Sequence, residues 1–128
     1  MRQGDLRNKR LVVLGGSSGI GFAVAEQALT QGAQVVIASS NPERVRKAVE
    51  KLGGEAQGHA LDLSDESAIE TLFSKLGDFD HLVFTAGDTL HLHKLADTDL
   101  KQARRAFELR YWAVLAAVKY ARDRKSVV

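Results

Sequence analysis

Short apolar runs alternate with longer stretches of helical periodicity along this chain. Residues 11–14 are continuously apolar, as expected of a strand that is buried on both faces. The predicted strands cover residues 11–14, 35–38, 57–61 and 81–84. The predicted helices cover residues 20–31, 42–52, 65–76 and 99–122. Strands that alternate with helices of this length predict βαβ units, so the expected fold class is an α/β doubly wound parallel sheet with helices on both faces.

Several residues mark the ends of these elements. Gly32 is typical of the residue that ends a helix. Asn41 and Ser64 are predicted to be N-caps, and Pro42 follows Asn41 at the first helical position. Residues 125–128 resemble the beginning of a fifth strand. Because an internal strand needs its neighbour and its crossover, we expect the chain to be the first part of a larger domain.

Composition is ordinary for one globular domain of 128 residues, with 45% hydrophobic and 27% charged residues. The absence of cysteine excludes disulfides and thiolate metal sites and favours a cytoplasmic location. A net charge of +2 gives no reason to expect nucleic acid, and no apolar run approaches the roughly 20 residues that cross a bilayer. The basic stretch 100–128 is interpreted as a solvated helix face, with a phosphate- or membrane-binding surface as the alternative.

The strongest chemical signal is the turn after the first predicted strand, where glycines stand at positions 15, 19 and 21. The spacing differs from G-x-G-x-x-G, but the physical requirements are the same. One glycine permits the tight turn, one lets the backbone approach a pyrophosphate, and one lets the helix pack close to the strand. The helix N-terminus then offers free N–H groups to the anion. The pattern predicts phosphate binding in a Rossmann-type fold, and the alternative is a glycine-rich loop without a ligand.

Residues 14–21 resemble the T-G-x-x-x-G-I-G motif of the short-chain dehydrogenases/reductases, and residues 84–87 fall on the N-N-A-G motif of that family. The resemblance covers essentially the whole chain. It implies a single dinucleotide-binding domain over residues 1–128, incomplete at its C-terminus, from an oxidoreductase that moves a hydride between a nicotinamide and a carbonyl or alcohol carbon. It assigns the pyrophosphate to Gly15, Ser17, Ser18, Gly19, Ile20 and Gly21. It assigns the adenine to Asp62 and Leu63 and the ribose region to Ala86 and Gly87. Read without the resemblance, Asp62 could instead be a helix residue with no ligand role.

Other positions depart from the pattern of the family. Leu14 replaces the motif threonine, and Phe84 and Thr85 replace the two asparagines. Arg110 stands where the family usually carries an asparagine that supports a proton-relay water. The catalytic serine and Y-x-x-x-K motif of the family lie beyond the fourth helix, and the basic residue four places after Tyr120 is an arginine on that helix. We therefore expect no catalytic residue in this chain and no activity from the chain alone; the alternative function is a non-catalytic NADP(H)-binding module.

The choice of cofactor depends on the end of the second predicted strand, where the adenosine ribose would lie. An acid there would bind the 2′-hydroxyl and repel a 2′-phosphate, whereas an arginine would accept the phosphate. This chain has Ser39, Ser40 and Asn41, followed by Arg44, and no acid. The sequence therefore favours NADP over NAD. The alternative is that Ser40 and Asn41 only cap the helix and that Arg44 is an exposed side chain.

Two further features concern possible partners. His91 and His93 alternate after Gly87, but two histidines lack further metal ligands nearby, so we expect no metal and a position beside a substrate pocket. The long helix carries one apolar stripe at Phe107, Tyr111, Val114 and Val118 and another at Leu109, Trp112, Ala116 and Tyr120. A helix that covers a sheet needs one stripe. The second predicts a homo-oligomer interface near residues 99–122, as the family commonly builds, or burial under downstream structure.

Overall fold

The computed structural model describes residues 5–87 and 93–122, and the backbone of residues 126–127. Five parallel strands form one sheet in the order β3-β2-β1-β4-β5. Their bounds are β1 Arg10–Leu14, β2 Gln34–Ser39, β3 Ala56–Ala60, β4 His81–Phe84 and β5 Ser126–Val127. The strand order reverses direction at β1, which is the switch point of a doubly wound sheet. The predicted α/β class is therefore confirmed.

Helices connect the strands and cover both faces of the sheet. Their bounds are α1 Gly19–Thr30, α2 Pro42–Leu52, α3 Glu66–Leu76, α4 Leu100–Phe107 and α5 Ala113–Ala121. A π-helical turn, Glu108–Trp112, joins α4 to α5, and a short 3₁₀ helix covers Leu95–Asp97. The long helix predicted over residues 99–122 is therefore present, with one irregular turn near its middle. None of the helices in the described residues is long and apolar enough to cross a membrane.

The helix caps test the local sequence signals. Asn41 caps α2 as predicted, because its side chain accepts a hydrogen bond from the backbone N–H of Arg44. The prediction that Ser64 caps the third helix is wrong. Asp65 is the N-cap, and its carboxylate accepts from the backbone N–H groups of Ser67 and Ala68. Ser64 instead donates to Asp62, which keeps it outside the helix.

Two buried clusters lie on opposite faces of the sheet because successive residues of a strand point in opposite directions. Val12 and Leu14 pack with α3 and α5 on one face. Val13 and Ile37 pack with α1 and α2 on the other. This double burial explains why the first strand is a continuous apolar run rather than an alternating one.

The two apolar stripes predicted on the long helix are only partly correct. Of the first stripe, Phe107, Tyr111 and Val118 are exposed. Of the second, Trp112 is exposed, whereas its other members pack against the core. The fully buried positions of α5 are Ala113, Ala117 and Ala121. Trp112 lies within the π turn, where the rotation of the helix changes, and it is the member of the second stripe that is exposed.

The beginning of a fifth strand is confirmed at the backbone of residues 126–127. Ser126 pairs with His81 and Val127 with Leu82, both in parallel register. Lys125 and Val128, which belong to the same prediction, lie outside the described residues.

Candidate cofactor site

A cleft of about 760 Å³ lies at the carboxyl ends of β1, β2, β3 and β4. Ligands of open α/β sheets bind at this edge, next to the strand where the order reverses. Every residue predicted to contact a cofactor lines this cleft except Asn41, whose side chain caps α2 instead. The fold therefore places around one cleft predicted residues that lie up to 72 positions apart in the sequence, from Gly15 to Gly87.

The turn between β1 and α1 needs two glycines for the fold itself. Gly15 has φ +101°, and a Cβ on it would lie 2.5 Å from the backbone nitrogen of Ala86. A Cβ on Gly21 would lie 2.5 Å from Oγ1 of Thr85 and would also collide with the carbonyl of Gly15. These are contacts between protein atoms, so neither position accepts a larger residue without a shift of the backbone.

Gly19 differs from the other two glycines of the motif. Its φ is +57°, but a Cβ built on it meets nothing within 4 Å in the described structure. Packing therefore does not require a glycine here, and the space beside it belongs to the cleft. This is the glycine that the sequence interpretation reserved for close approach of a pyrophosphate.

The N-terminus of α1 lacks the side-chain cap found on α2, α3 and α4. Asn41, Asp65 and Asp99 cap α2, α3 and α4, respectively, with side-chain oxygens. Ser18 is the N-cap of α1, but its side chain makes no capping hydrogen bond, and the first turn carries no acid. The first N–H groups of a helix have no partner within the helix, and they carry partial positive charge. Ser18 and Gly19 line the cleft, so these donors lie at its wall.

Two serines join the glycine turn to the end of β2. The hydroxyl of Ser17 donates to the hydroxyl of Ser39 over 2.9 Å, and both residues line the cleft. Ser40 and Arg44 also line it and are exposed. No hydrogen bond or ion pair joins the guanidinium of Arg44 to any described residue; the bond to Asn41 is made by its backbone. This wall therefore presents hydroxyl groups and an unpaired cation.

Asp62 provides a negative charge where β3 ends. Oδ1 accepts from the hydroxyl of Ser64 over 2.6 Å and from its backbone N–H over 2.9 Å. These two bonds lower the pKa of the Asp62 carboxyl, and the positive charge of Arg105 adds to the effect. Asp62 is therefore an ionised acceptor at neutral pH.

The segment that follows β4 is held against β1. Thr85 and Ala86 both donate their backbone N–H groups to the carbonyl of Leu14, over 2.8 and 3.0 Å. Oγ1 of Thr85 also donates to the carbonyl of Gly15 over 3.3 Å. Thr85 replaces an asparagine of the resembled motif, and in this chain its hydroxyl ties the β4 end to the glycine turn.

The sequence interpretation missed four residues of the cleft: Ser64, Thr85, Arg105 and Leu109. Ser64 and Thr85 are chain neighbours of predicted residues, so extending each predicted segment by one residue would have included them. Arg105 and Leu109 lie on α4 and the π turn, four positions apart, which places them on one side of a helix. Their spacing is visible in the sequence, but the side that faces the cleft is not.

Arg110 lies beside the end of β4. A Cβ on Gly87 would lie 3.4 Å from Nη2 of Arg110, so the guanidinium packs next to the rim of the cleft. Tyr120 is different, because it packs against the buried cluster beneath the sheet and does not line the cleft. His93 is exposed and is not part of the cleft lining, and His91 lies outside the described residues. The described residues contain no group of three potential metal ligands.

The sheet order, the glycine turn and the cleft together define a dinucleotide-binding type of α/β domain. Comparison with protein families narrows this class. Residues 9–124 match the family model described as short chain dehydrogenase. The chain therefore belongs to the short-chain dehydrogenase/reductase family, as the sequence motifs predicted.

Individual relatives agree with this assignment. The chain is 41% identical to the short-chain dehydrogenase/reductase fsr5 of Gibberella fujikuroi, with 91% of this chain and 50% of fsr5 covered. It is 37% identical to ATR9 of Stachybotrys chlorohalonatus, with 91% and 51% covered. Among solved structures, the MalC reductase/Diels-Alderase from Malbranchea aurantiaca is similar with a TM-score of 0.84 and 31% identity, covering 94% of this chain and 52% of MalC. The chain thus spans about half the length of the curated relatives that it matches.

Proposed function

We propose that the cleft binds NADP(H) and that this chain is the cofactor-binding part of a short-chain oxidoreductase. The observation that carries the proposal is the uncapped N-terminus of α1 beside Gly19. Donors without a partner, a helix dipole and free space for a backbone approach occur together where a pyrophosphate would lie. Gly15 and Gly21 allow this turn to pack closely against Ala86 and Thr85, respectively.

The remaining walls fit the adenosine half of the cofactor. Asp62 offers Oδ2 to the exocyclic amine of adenine, because its described hydrogen bonds both use Oδ1. Leu63 also lines the cleft, although its side chain packs in the core, and we assign the ribose to Ala86 and Gly87, which line the cleft where β4 ends. When bound, the nicotinamide supplies or accepts the hydride; the residues of this chain bind and orient the cofactor. The substrate is a small carbonyl or alcohol compound, in keeping with the family.

We infer NADP rather than NAD from the charges of the β2 wall. Ser39, Ser40 and Arg44 line the cleft there, and the cleft carries no acid on this side within the described residues. Asp62, the acid of the cleft lining, follows the next strand. The family does not decide the question: Pseudomonas aeruginosa RhlG, 27% identical with a TM-score of 0.85, was solved with NADP. A Brucella melitensis reductase, 24% identical, was solved with NADH.

The second candidate function is a non-catalytic NADP(H)-binding module. It is favoured by Arg110, whose guanidinium lies beside Gly87 at the position where the resembled family carries a relay asparagine. Neither tyrosine in the sequence, Tyr111 or Tyr120, is followed by lysine four places later. Both candidates share the same cofactor site, so they differ in turnover and not in binding.

We further propose that the chain self-associates through the long helix. Phe107, Tyr111, Trp112 and Val118 form an exposed apolar face there, with exposed fractions of 63% for Phe107 and 55% for Trp112. Exposed apolar patches of this kind mark interaction surfaces. Sedimentation velocity of Trp112→Lys against the unchanged chain tests this, and a monomeric unchanged chain at all concentrations would refute it. The cytoplasmic location stays a prediction from the sequence, as does the extent of the domain over residues 1–128.

Isothermal titration calorimetry with NADPH and NADH tests the cofactor proposal directly. We expect one site per chain, with NADPH bound more tightly than NADH. A chain that is folded by circular dichroism and binds neither dinucleotide would overturn the proposal. NADPH oxidation in the presence of ketones and quinones then separates the enzyme from the binding module.

A further inference from the structure

Arg105 places a second unpaired cation in the cleft. It lies on α4 and lines the cleft one helical turn before Leu109, which lines it too. No hydrogen bond or ion pair joins Arg105 to any residue of the described chain, although Arg46 on α2 pairs with Glu43 and Glu50. Arg105 is exposed, and its guanidinium N–H groups have no acceptor among the described residues.

The neighbours of Arg105 indicate which part of the cofactor it meets. Leu109 is only partly buried and supplies apolar surface beside Arg105, which suits a planar base and does not suit a phosphate. Asp62 is close enough for the charge of Arg105 to contribute to lowering its pKa. An ionised carboxylate in this position repels a phosphate, so the 2′-phosphate belongs with Arg44 on the β2 wall.

A guanidinium and a purine are complementary in shape and charge. The guanidinium is planar, it stacks on aromatic faces, and it is more weakly hydrated than an ammonium group. A cation over a ring face is favoured by the ring quadrupole, most strongly when water is excluded. An arginine that lies one helical turn before Leu109 can therefore cover a base that packs against that leucine.

We propose that Arg105 is an adenine-binding residue of the cleft, with its guanidinium plane against the purine while Asp62 accepts a hydrogen bond from the exocyclic amine. The proposal rests on the cofactor site proposed above and adds a contact from α4, whereas Arg44 lies on α2. The two arginines of the cleft lining then contact different parts of one ligand. Arg44 binds the 2′-phosphate, and Arg105 stacks on the adenine base.

The test measures the affinities of four ligands by calorimetry with the full chain. NADPH, NADH and ADP all carry adenine, and inorganic pyrophosphate carries none. Arg105→Ala should weaken the three adenine ligands by a similar factor, about fivefold to thirtyfold. Its effect on pyrophosphate should stay within about twofold, because a base contact is absent from that ligand. Arg105→Lys keeps the charge without the plane and should recover less than half of the lost free energy of binding.

Arg104→Ala is the matched control, since it removes the same charge from the adjacent residue, which does not line the cleft. It should leave all four affinities unchanged. A loss confined to NADPH would refute the base contact, because it would assign Arg105 to the 2′-phosphate. Equal losses for ADP and pyrophosphate would refute it by indicating a simple charge effect, and no loss at all would refute it outright. If the unchanged chain is folded and binds no adenine ligand, the cofactor site itself fails, which the same titrations distinguish.

Discussion

Gly19 offers the sharpest test of the cofactor site, because the protein around it leaves room for a side chain. We predict that Gly19→Asp abolishes dinucleotide binding while the chain stays folded. A Cβ at this position meets nothing within 4 Å among the described residues, so the cost to folding is limited to the left-handed backbone at φ +57°. That cost is about 1 kcal/mol, and aspartate tolerates this conformation better than most residues. The melting temperature should therefore fall by only about 3–5 °C.

The loss of binding follows from charge. A carboxylate about 5 Å from one phosphate charge is disfavoured by about 3 kcal/mol at an effective dielectric constant of about 20. This corresponds to a loss of about 150-fold in affinity, and the second phosphate adds to it. Gly19→Asn has the same size without the charge, so the difference in NADPH affinity between the two variants isolates the electrostatic part.

A second glycine provides a control for backbone strain. Gly54 has φ +54°, and a Cβ on it also meets nothing within 4 Å among the described residues. It follows α2 and lies away from the cleft. Gly54→Asp therefore introduces the same strain and the same charge, and its NADPH affinity should equal that of the unchanged chain. Calorimetry that finds Gly19→Asp as tight as Gly54→Asp would refute the placement of the pyrophosphate, and equal affinities of Gly19→Asp and Gly19→Asn would refute the electrostatic argument.

The other predictions concern cofactor choice, pH and turnover. Arg44→Ala should lower the affinity for NADPH about ten- to a hundredfold and change the affinity for NADH by less than about twofold. Lys47→Ala, at an exposed position on the same helix, should change neither affinity. Equal losses for both cofactors would mean that Arg44 only supports the helix. Because hydrogen bonds from Ser64 lower the pKa of Asp62, its contribution to NADPH affinity should persist from pH 7 to about pH 5 and be lost as the pH falls through the lowered value. Ser64→Ala should move that loss to higher pH, and coincident pH profiles would contradict the assignment. The 128-residue chain should bind NADPH without oxidising it in the presence of ketones or quinones, since it carries no Y-x-x-x-K; turnover that disappears in Tyr120→Phe would refute this.

Most residues that line the cleft could be predicted from the sequence, because they lie at or just after the end of a predicted strand. Strands in this fold end at one edge, so residues at positions 15, 39, 62 and 86 converge on the same place once the strands are recognised. The glycine spacing adds a further signal, because it fits a strand-to-helix turn in which the backbone must turn tightly and pack closely. Gly15 and Gly21 make the close contacts with protein atoms that require glycine, and a Cβ on Gly19 would meet nothing within 4 Å in the described residues.

Side-chain competition for local backbone groups was harder to predict. Ser64 and Asp65 are adjacent, and both residue types favour N-cap positions. Asp62 decides between them, because its carboxylate binds both the hydroxyl and the N–H of Ser64 and leaves Asp65 to cap α3. Asn41 shows the reverse situation: its capping role was predicted correctly, but it is not among the residues that line the cleft.

Arg105 and Leu109 line the cleft from α4 and the π turn, and this irregular turn explains why they were missed. In a regular α-helix each residue turns by about 100°, so positions four apart drift by about 40° and five such positions spread over about 160°. Arg105, Leu109, Ala113, Ala117 and Ala121 are each four apart, yet the first two line the cleft and the last three are fully buried. The wider π turn at Glu108–Trp112 rotates less per residue, so it reduces this drift where Leu109 is followed by Ala113. Phe107 lies directly before this turn and Tyr111 and Trp112 lie within it, and all three are exposed, so the cleft lining and the exposed apolar face meet at the same irregular turn.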